Sequence, residues 1–425
     1  MRSKQIVFIL FYILIYNSLI NAQLTKILVL NEGAFDYTKN TIIEPVSIGS
    51  FDINSRIYTK LNEVAGARFA SDIIQDGSSY WVAADKEIVV YDLGSHQKLR
   101  SFTLEGVRKL ACYKDFLIVT RGEYLKQLAA YIQIYNKHTF DLIYEVPYQV
   151  LPYTAENIIV KDDNAFIAIN NGFDFGKEVG KIVKLNLTTL RLEAILELGP
   201  EGKNPENLML VKDQLISLNN KDFTGSSISL IDLNSNQIDN YNLTNVSSLC
   251  GTSTLVGESV LYQEIGKEDL GLFQLNTKQS AFYKNIGKSF YGMSYDSKSN
   301  LICAAETDFK SFGRVNVYDS NLDEKYVFTA GVSPGYFVFV NASSVSTKQL
   351  ESLQFELSPN PIVSKFKIIT KDPIDEIKVM DFYGKVLIHK KQKSIDLEGL
   401  QAGAYILSVQ NKDQIGYKRF VKIQK

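Results

Sequence analysis

The sequence predicts an all-β protein in two parts, a seven-bladed β-propeller followed by a small C-terminal antiparallel β-sandwich. Three observations carry this. A short alternating strand closed by Asp or Asn recurs along the chain at intervals of 40 to 50 residues, the length of one propeller blade. Two further apolar strands joined by a polar turn precede most of these marks, and no stretch of comparable length shows a helical period. After residue 355 the repeat stops, and shorter alternating strands with Gly or Pro turns take over.

The recurring strands read GSFDI, IVVYDL, IQIYNK, IVKLNL, ISLIDL, LFQLNT and VNVYDS, and they end at Asp52, Asp92, Asn136, Asn186, Asp232, Asn276 and Asp319. An Asx side chain at such a point accepts from the backbone N–H two residues on and turns the chain into the next strand. These residues are therefore expected to be structural. Ring closure is also written in the pattern. VSPGYFVFV supplies an inner strand with no partner after it, and KILVLNEG reads as a second strand with none before it. One blade shared by both ends would remove the exposed edges.

Composition sets the class. Of the 425 residues 45% are apolar and 22% charged, and the 24 Tyr and 24 Phe against one Trp lean toward β structure. A net charge of −1 gives no whole-molecule field toward nucleic acid, which is not expected as a partner. The opening residues read as a signal peptide over 1–22: Arg2 and Lys4 precede the apolar run Ile6 to Tyr16, and a polar break leads to Ala22. That run is shorter than the ~20 residues of a membrane span. The expected organisation is thus signal peptide 1–22, propeller 23–341, a Ser/Thr/Gln-rich linker 342–355 and a separate domain 356–425. Cys112, Cys250 and Cys303 each lie in or beside apolar runs and read as small buried hydrophobes.

The tail carries SPNP at Ser358–Pro361, DFYGKV at Asp381–Val386, LQAGAYILSV at Leu400–Val409 and a basic last strand at Lys418–Lys425. In these ordered motifs it resembles the C-terminal sorting domain of type IX secretion. The resemblance implies the secretion machinery as a partner and passage through the periplasm and across the outer membrane to the cell surface or the medium. More loosely, LNEGAF at Leu30–Phe35, the VYDL-type strands and PEN at Pro205–Asn207 resemble the YncE-like/YVTN surface propellers. Some members of that group bind corrinoids. The likeness concerns blade cores, so it speaks to fold more than to activity.

Function is expected on one face of the ring, where the second strands of the blades end in loops. The residues there are Asn31, Glu32, Asp85, Arg121, Asn170, Asn171, Asn219, Asn220, Glu264 and Glu306, with Glu123 and Gln263 beside them. Entrances to the inner strands add Arg68, Asp72, Glu156, Glu206, Tyr291 and Tyr336, and Phe35 offers a stacking wall. A polar mouth of mixed sign suits a small-molecule, glycan or protein ligand held without catalysis. It is also what any water-filled channel mouth presents. A Ca²⁺-dependent, lactonase-like hydrolase is the alternative, with Glu32, Asn171, Asn220 and Glu306 as oxygen ligands. Otherwise no cofactor is expected. A third reading is adhesion through the rim. Of the three histidines, His96 and His138 sit in hairpins expected on the opposite face and His389 in the tail, which disfavours a histidine base at the mouth.

Overall fold

The computed structural model describes residues 24–424 apart from 222–224, 244–251, 264–265, 342–350, 354, 372, 382–385, 392–393 and 412–413. The expected signal peptide and Cys250 lie outside the described residues. Two compact units are present, Gln23–Asn341 and a second containing Ala342–Lys425.

The first unit is seven four-stranded antiparallel sheets. Blades 2 to 7 begin with the inner strands Asp72–Asp76, Val107–Tyr113, Ala155–Lys161, Pro205–Val211, Thr252–Val256 and Gly292–Asp296. Blade 1 takes its inner strand, Pro334–Asn341, from the far end of the unit, and continues through Leu24–Asn31, Val46–Asp52 and Tyr58–Val64. Ile27 pairs with Phe339 on one side and Phe51 on the other, so the ring closes by hydrogen bonds between its two ends. Thr25 adds a side-chain bond to the Val340 carbonyl at 2.8 Å. Between the second and third strands of blade 1 a two-stranded hairpin, Ala34–Asp36 and Thr41–Glu44, is inserted.

Each blade is apolar on both faces, because both are covered by neighbours. Seven buried clusters lie in the seven gaps between adjacent blades. Leu28, Ile48 and Tyr80 fill one, Ile118, Ile167 and Val183 another, and Val29, Phe51, Val315 and Phe328 the closing one. In the closing gap Phe51 and Phe328 stack at 4.1 Å with 5° between their planes. Cys303 is buried there and Cys112 is half-buried near the Trp81 cluster. Burial raises both thiols well above their ordinary range, as apolar packing residues should be.

The Asx residues act as turn closers. Asp52, Asp92, Asn136, Asn186 and Asp232 each accept from the backbone N–H groups two and three residues on, and Asp319 accepts from those of Asn321 and Asp323. Blade 6 is the correction. The third strand ends at Gln274, which pairs with Ser259 as Asp232 pairs with Gln214, and the Lys278 N–H closes on the Gln274 carbonyl. Asn276 lies two residues into the turn and accepts only from Thr277. The repeat mark slips there because Gln274 holds the strand-end position. Its carbonyl accepts from the N–H four residues on, as those of Asp52, Asp92, Asn136 and Asp232 do, so the turn keeps its backbone bond without an Asx side chain at that position.

In the tail unit a five-stranded sheet and a three-stranded sheet enclose Ile362, Phe366, Ile377, Val379, Leu407 and Phe420. Four strands of the larger sheet are antiparallel, and Glu351–Ser352 joins it in parallel beside residues 414–415. Leu353 and Phe355 are buried in this core. The stretch expected to be linker up to residue 355 therefore belongs to the tail fold from Glu351 onward, because two large apolar side chains cannot be left in water at little cost.

Candidate functional site

The inner strands lean on one another around the ring and enclose a central cavity of about 430 Å³. Register irregularities decide what faces it. The pairing of first and second strands skips between Val107 and Leu110, Ala155 and Ile158, and Pro205 and Asn207. Residues in such a bulge leave the strict alternation of the strand, and a bulge re-aims side chains. Arg108, Lys109, Glu156, Asn157 and Glu206 sit in these skips, and all five line the cavity. Asp72, Tyr291 and Tyr336 complete its polar wall, with Thr252, Ser253 and Ser294 on the hydroxyl-rich side.

The charged groups bridge blades. The Arg108 Nε donates to Glu156 Oε1 at 2.7 Å, joining blades 3 and 4. The Leu110 N–H donates to Asp72 Oδ2 at 2.8 Å. The Lys109 ammonium donates to the Ser71 carbonyl and lies 4.1 Å from the centre of the Tyr336 ring. Tyr291 donates its hydroxyl to Glu32 Oε1 at 2.6 Å, joining blade 7 to blade 1. Asn207 donates to the Ser253 carbonyl and hydroxyl, both at 2.9 Å.

Desolvation shapes the electrostatics. Burial pushes Glu32 up to about 7, against the Tyr291 hydrogen bond and the Arg108 and Lys109 charges. Glu206 also reaches about 7, through burial and the neighbouring Glu156 charge, with Arg108 and Lys109 pulling it down. Asp72 is raised by burial as well. Burial opposes the charge on Arg108, yet Glu156, Tyr336 and Glu32 outweigh it and hold the guanidinium above its ordinary range. The cavity thus holds the Arg108–Glu156 ion pair and the raised carboxyl of Glu206, with the raised carboxyl of Glu32 behind the lining residue Tyr291.

The residues expected to form the mouth fall into three groups. Asn31, Arg121, Asn170 and Asn219 are buried inside their blades. Asn31 donates to the Ser47 carbonyl and Tyr58 hydroxyl and accepts from the Gly331 N–H. Arg121 is held by the Glu105 and Ala130 carbonyls and by Gln133, Asn170 by Thr154 and Gly172, and Asn219 by Ser217, Ser227 and Ser229. They lie outside the cavity lining, in the blades, where carbonyls, hydroxyls and backbone N–H groups offset the cost of burying them. Glu32, Asn220, Asn171, Glu306 and Asp85 remain near the loop side. Asn220 donates to Glu206, Asn171 to the Lys177 carbonyl, and Glu306 accepts from Asn316 at 2.8 Å. Asp85 is paired with Arg68. Glu264 is outside the described residues. The four residues expected to gather around Ca²⁺ are thus each engaged by a different neighbour. Among the described residues no three His, Cys, Asp or Glu side chains are grouped to hold a metal ion.

Of the inner-strand entrances, Asp72, Glu156, Glu206, Tyr291 and Tyr336 do line the cavity. Arg108 and Lys109 were missed. The run VRKLACY reads as an ordinary alternating strand, and only its pairing reveals the bulge. His96 and His138 lie in the turns between third and fourth strands.

Residues 356–424 match the family model of a secretion system C-terminal sorting domain. No curated protein matches the chain. Among solved structures, the extracellular domain of a putative one-component system of B. thetaiotaomicron aligns over 93% of this chain at 14% identity and TM-score 0.51, and the chain spans 57% of that protein's length. The dihydro-haem d1 dehydrogenase NirN in complex with DHE aligns over 74% of this chain and 75% of its own at 12% identity, also with TM-score 0.51. At these identities the likeness is one of fold, the β-propeller. The tail is a type IX secretion C-terminal sorting domain, which carries the chain across the outer membrane to the cell surface or the medium and implies contact with that secretion machinery.

Proposed function

We propose that the exported propeller is a non-catalytic binding scaffold that holds a small polar ligand in its central cavity. One observation carries the reading. A void of about 430 Å³ is walled by charged side chains that three strand bulges bring to it. Buried charge without a role is costly, and the carboxyls of Asp72, Glu156 and Glu206 with the cations Arg108 and Lys109 around one void suit a ligand that completes their hydrogen bonding. The volume is at the small-molecule scale. YncE-like kinship would fit the same use but adds no ligand identity.

Thermal unfolding of the purified chain against amines, amino acids, corrinoids, haem and Ca²⁺ tests this. A ligand at 100 times its Kd adds about 2.7 kcal/mol and raises the midpoint. The double substitution Arg108→Met with Glu156→Leu, which replaces the ion pair by apolar groups of similar size, should keep the fold and lose that shift. A shift with Ca²⁺ alone, or one untouched by the double substitution, would overturn the proposal.

A further inference from the structure

A second hollow, of about 630 Å³, opens on the loop side of blades 1 to 3. One wall is the inserted hairpin and another is the loop after the second strand of blade 3. The hairpin contributes Phe35 and the loop Tyr124, which is 52% exposed. The hairpin is out of keeping with a purely structural role. Its second strand is largely exposed, with Ile43 at 66%, and Tyr37 at its turn is 71% exposed. Ordering such a segment costs backbone entropy that its own burial does not return. Segments of this kind on a rigid scaffold carry function.

The floor is built from paired charges. Arg68 is gripped by both oxygens of Asp85, with Nε to Oδ2 at 2.9 Å, and also donates to Glu123 Oε2 at 2.8 Å. Asp85 is almost fully buried and Glu123 nearly so at the side chain. At the edge Lys126 pairs with Glu105. With Lys86, three cations face three carboxylates, so the hollow has no net charge. A polyanion would need an excess of cations and a polycation an excess of carboxylates. Fixed carboxylates and a guanidinium offer rigid planar acceptors and donors, which match vicinal hydroxyls. Aromatic side chains on two walls offer flat apolar surface for the C–H faces of a pyranose ring.

We infer that this hollow is an oligosaccharide site, taking a neutral sugar chain between Phe35 and Tyr124 above the Arg68–Asp85–Glu123 cluster. It rests on the reading of the propeller as a binding scaffold and uses a different cavity from the central one. The test is electrophoresis of the purified full chain through native gels containing β-glucan, mannan, xylan or galactan as neutral polymers, polygalacturonate as the anionic one and glycol chitosan as the cationic one. Retardation is expected in at least one neutral gel. Tyr124→Ala should weaken it at least fivefold and Phe35→Ala likewise, whereas Phe282→Ala, at an exposed position on an outer strand, should not change it. The Arg108→Met, Glu156→Leu double variant should be retarded as strongly as the parent. Absence of retardation by every neutral polymer, retardation by charged polymers alone, or full retention in Tyr124→Ala overturns the inference. If the double variant alone loses retardation, the sugar sits in the central cavity: this inference fails and the central reading stands.

Discussion

The Tyr291 hydroxyl reaches across the gap between blade 7 and blade 1 and donates to Glu32 Oε1 at 2.6 Å. Glu32 follows directly on the strand Leu24–Asn31 that closes the ring, so one hydrogen bond ties the closure to the central cavity. The Glu32 N–H and the Gly33 N–H hold the same joint through the Ser333 and Val332 carbonyls. Removing the hydroxyl in Tyr291→Phe takes away a contact that favours the charged carboxylate, so the Glu32 pKa should rise further above 7. Stability should fall by about 1–2 kcal/mol. Carbon-13 NMR titration of the glutamate carboxyls, with Glu32→Gln for assignment, reads the pKa directly. An unmoved titration would show that the hydroxyl does not act on Glu32.

The raised carboxyls give the protein a pH dependence of definite sign. Glu32 and Glu206 have folded-state pKa values of about 7 against 4.5 when unperturbed. Between these values the folded state binds more protons than the unfolded one, so stability falls as pH rises. The contribution is full below 4.5 and is lost by the time the pH has passed through 7. Each carboxyl accounts for about 3 kcal/mol. Glu206→Gln should remove its share of the slope, making urea unfolding flatter between pH 5 and 8. A slope of the opposite sign would refute the assignment.

The closing gap between blades 7 and 1 depends on an aromatic stack. Phe51 is 1% exposed and lies 4.1 Å from Phe328, with Tyr326 at 5.7 Å. Phe51→Ala leaves a cavity beside the seam and should cost about 3–5 kcal/mol. Because the seam joins the two ends of the ring, its loss should speed proteolysis within Leu24–Asn31 first. Limited proteolysis with mass spectrometry checks the order. First cleavage in a distant blade would mean that the seam is not the weak joint.

The turn closers make a paired comparison. Asp232 accepts two backbone N–H bonds at 2.9 and 2.8 Å and the Ser235 hydroxyl at 3.0 Å, whereas Asn276 accepts a single neighbouring N–H. Asp232→Ala should lower the thermal midpoint clearly more than Asn276→Ala. Calorimetry on the two variants decides it, and equal losses would return Asn276 to the repeat.

The tail makes a prediction in the cell. Deletion of residues 356–425 should leave the shortened chain in the periplasm, while the propeller, a separate compact unit, stays folded. Fractionation and immunoblotting check this, and secretion of the truncated chain would contradict it.

The sequence alone determined the all-β class, the seven blades, the blade shared by both ends and the sorting tail. Each of these is a local pattern repeated or placed in order. Alternation, an Asx turn and an unpartnered strand at each end can be read without knowing what they touch. Even there, Gln274 stands at the strand end in blade 6 where other blades place Asp or Asn, and a pattern that follows Asx side chains sets the mark two residues late, at Asn276. The lining of the central cavity was legible in part, since Asp72, Glu156, Glu206, Tyr291 and Tyr336 stand at entrances that strand order predicts. Only the tertiary structure decided which polar groups face the void. Asn31, Asn170, Asn219 and Arg121 turn into the blades, where carbonyls and hydroxyls of neighbouring strands satisfy them. Arg108 and Lys109 turn outward from their strand because a bulge breaks its alternation, and Glu32 meets Tyr291, 259 residues away, because the ring closes. Pairing register and closure are properties of contacts between distant strands, and no local stretch of sequence contains them.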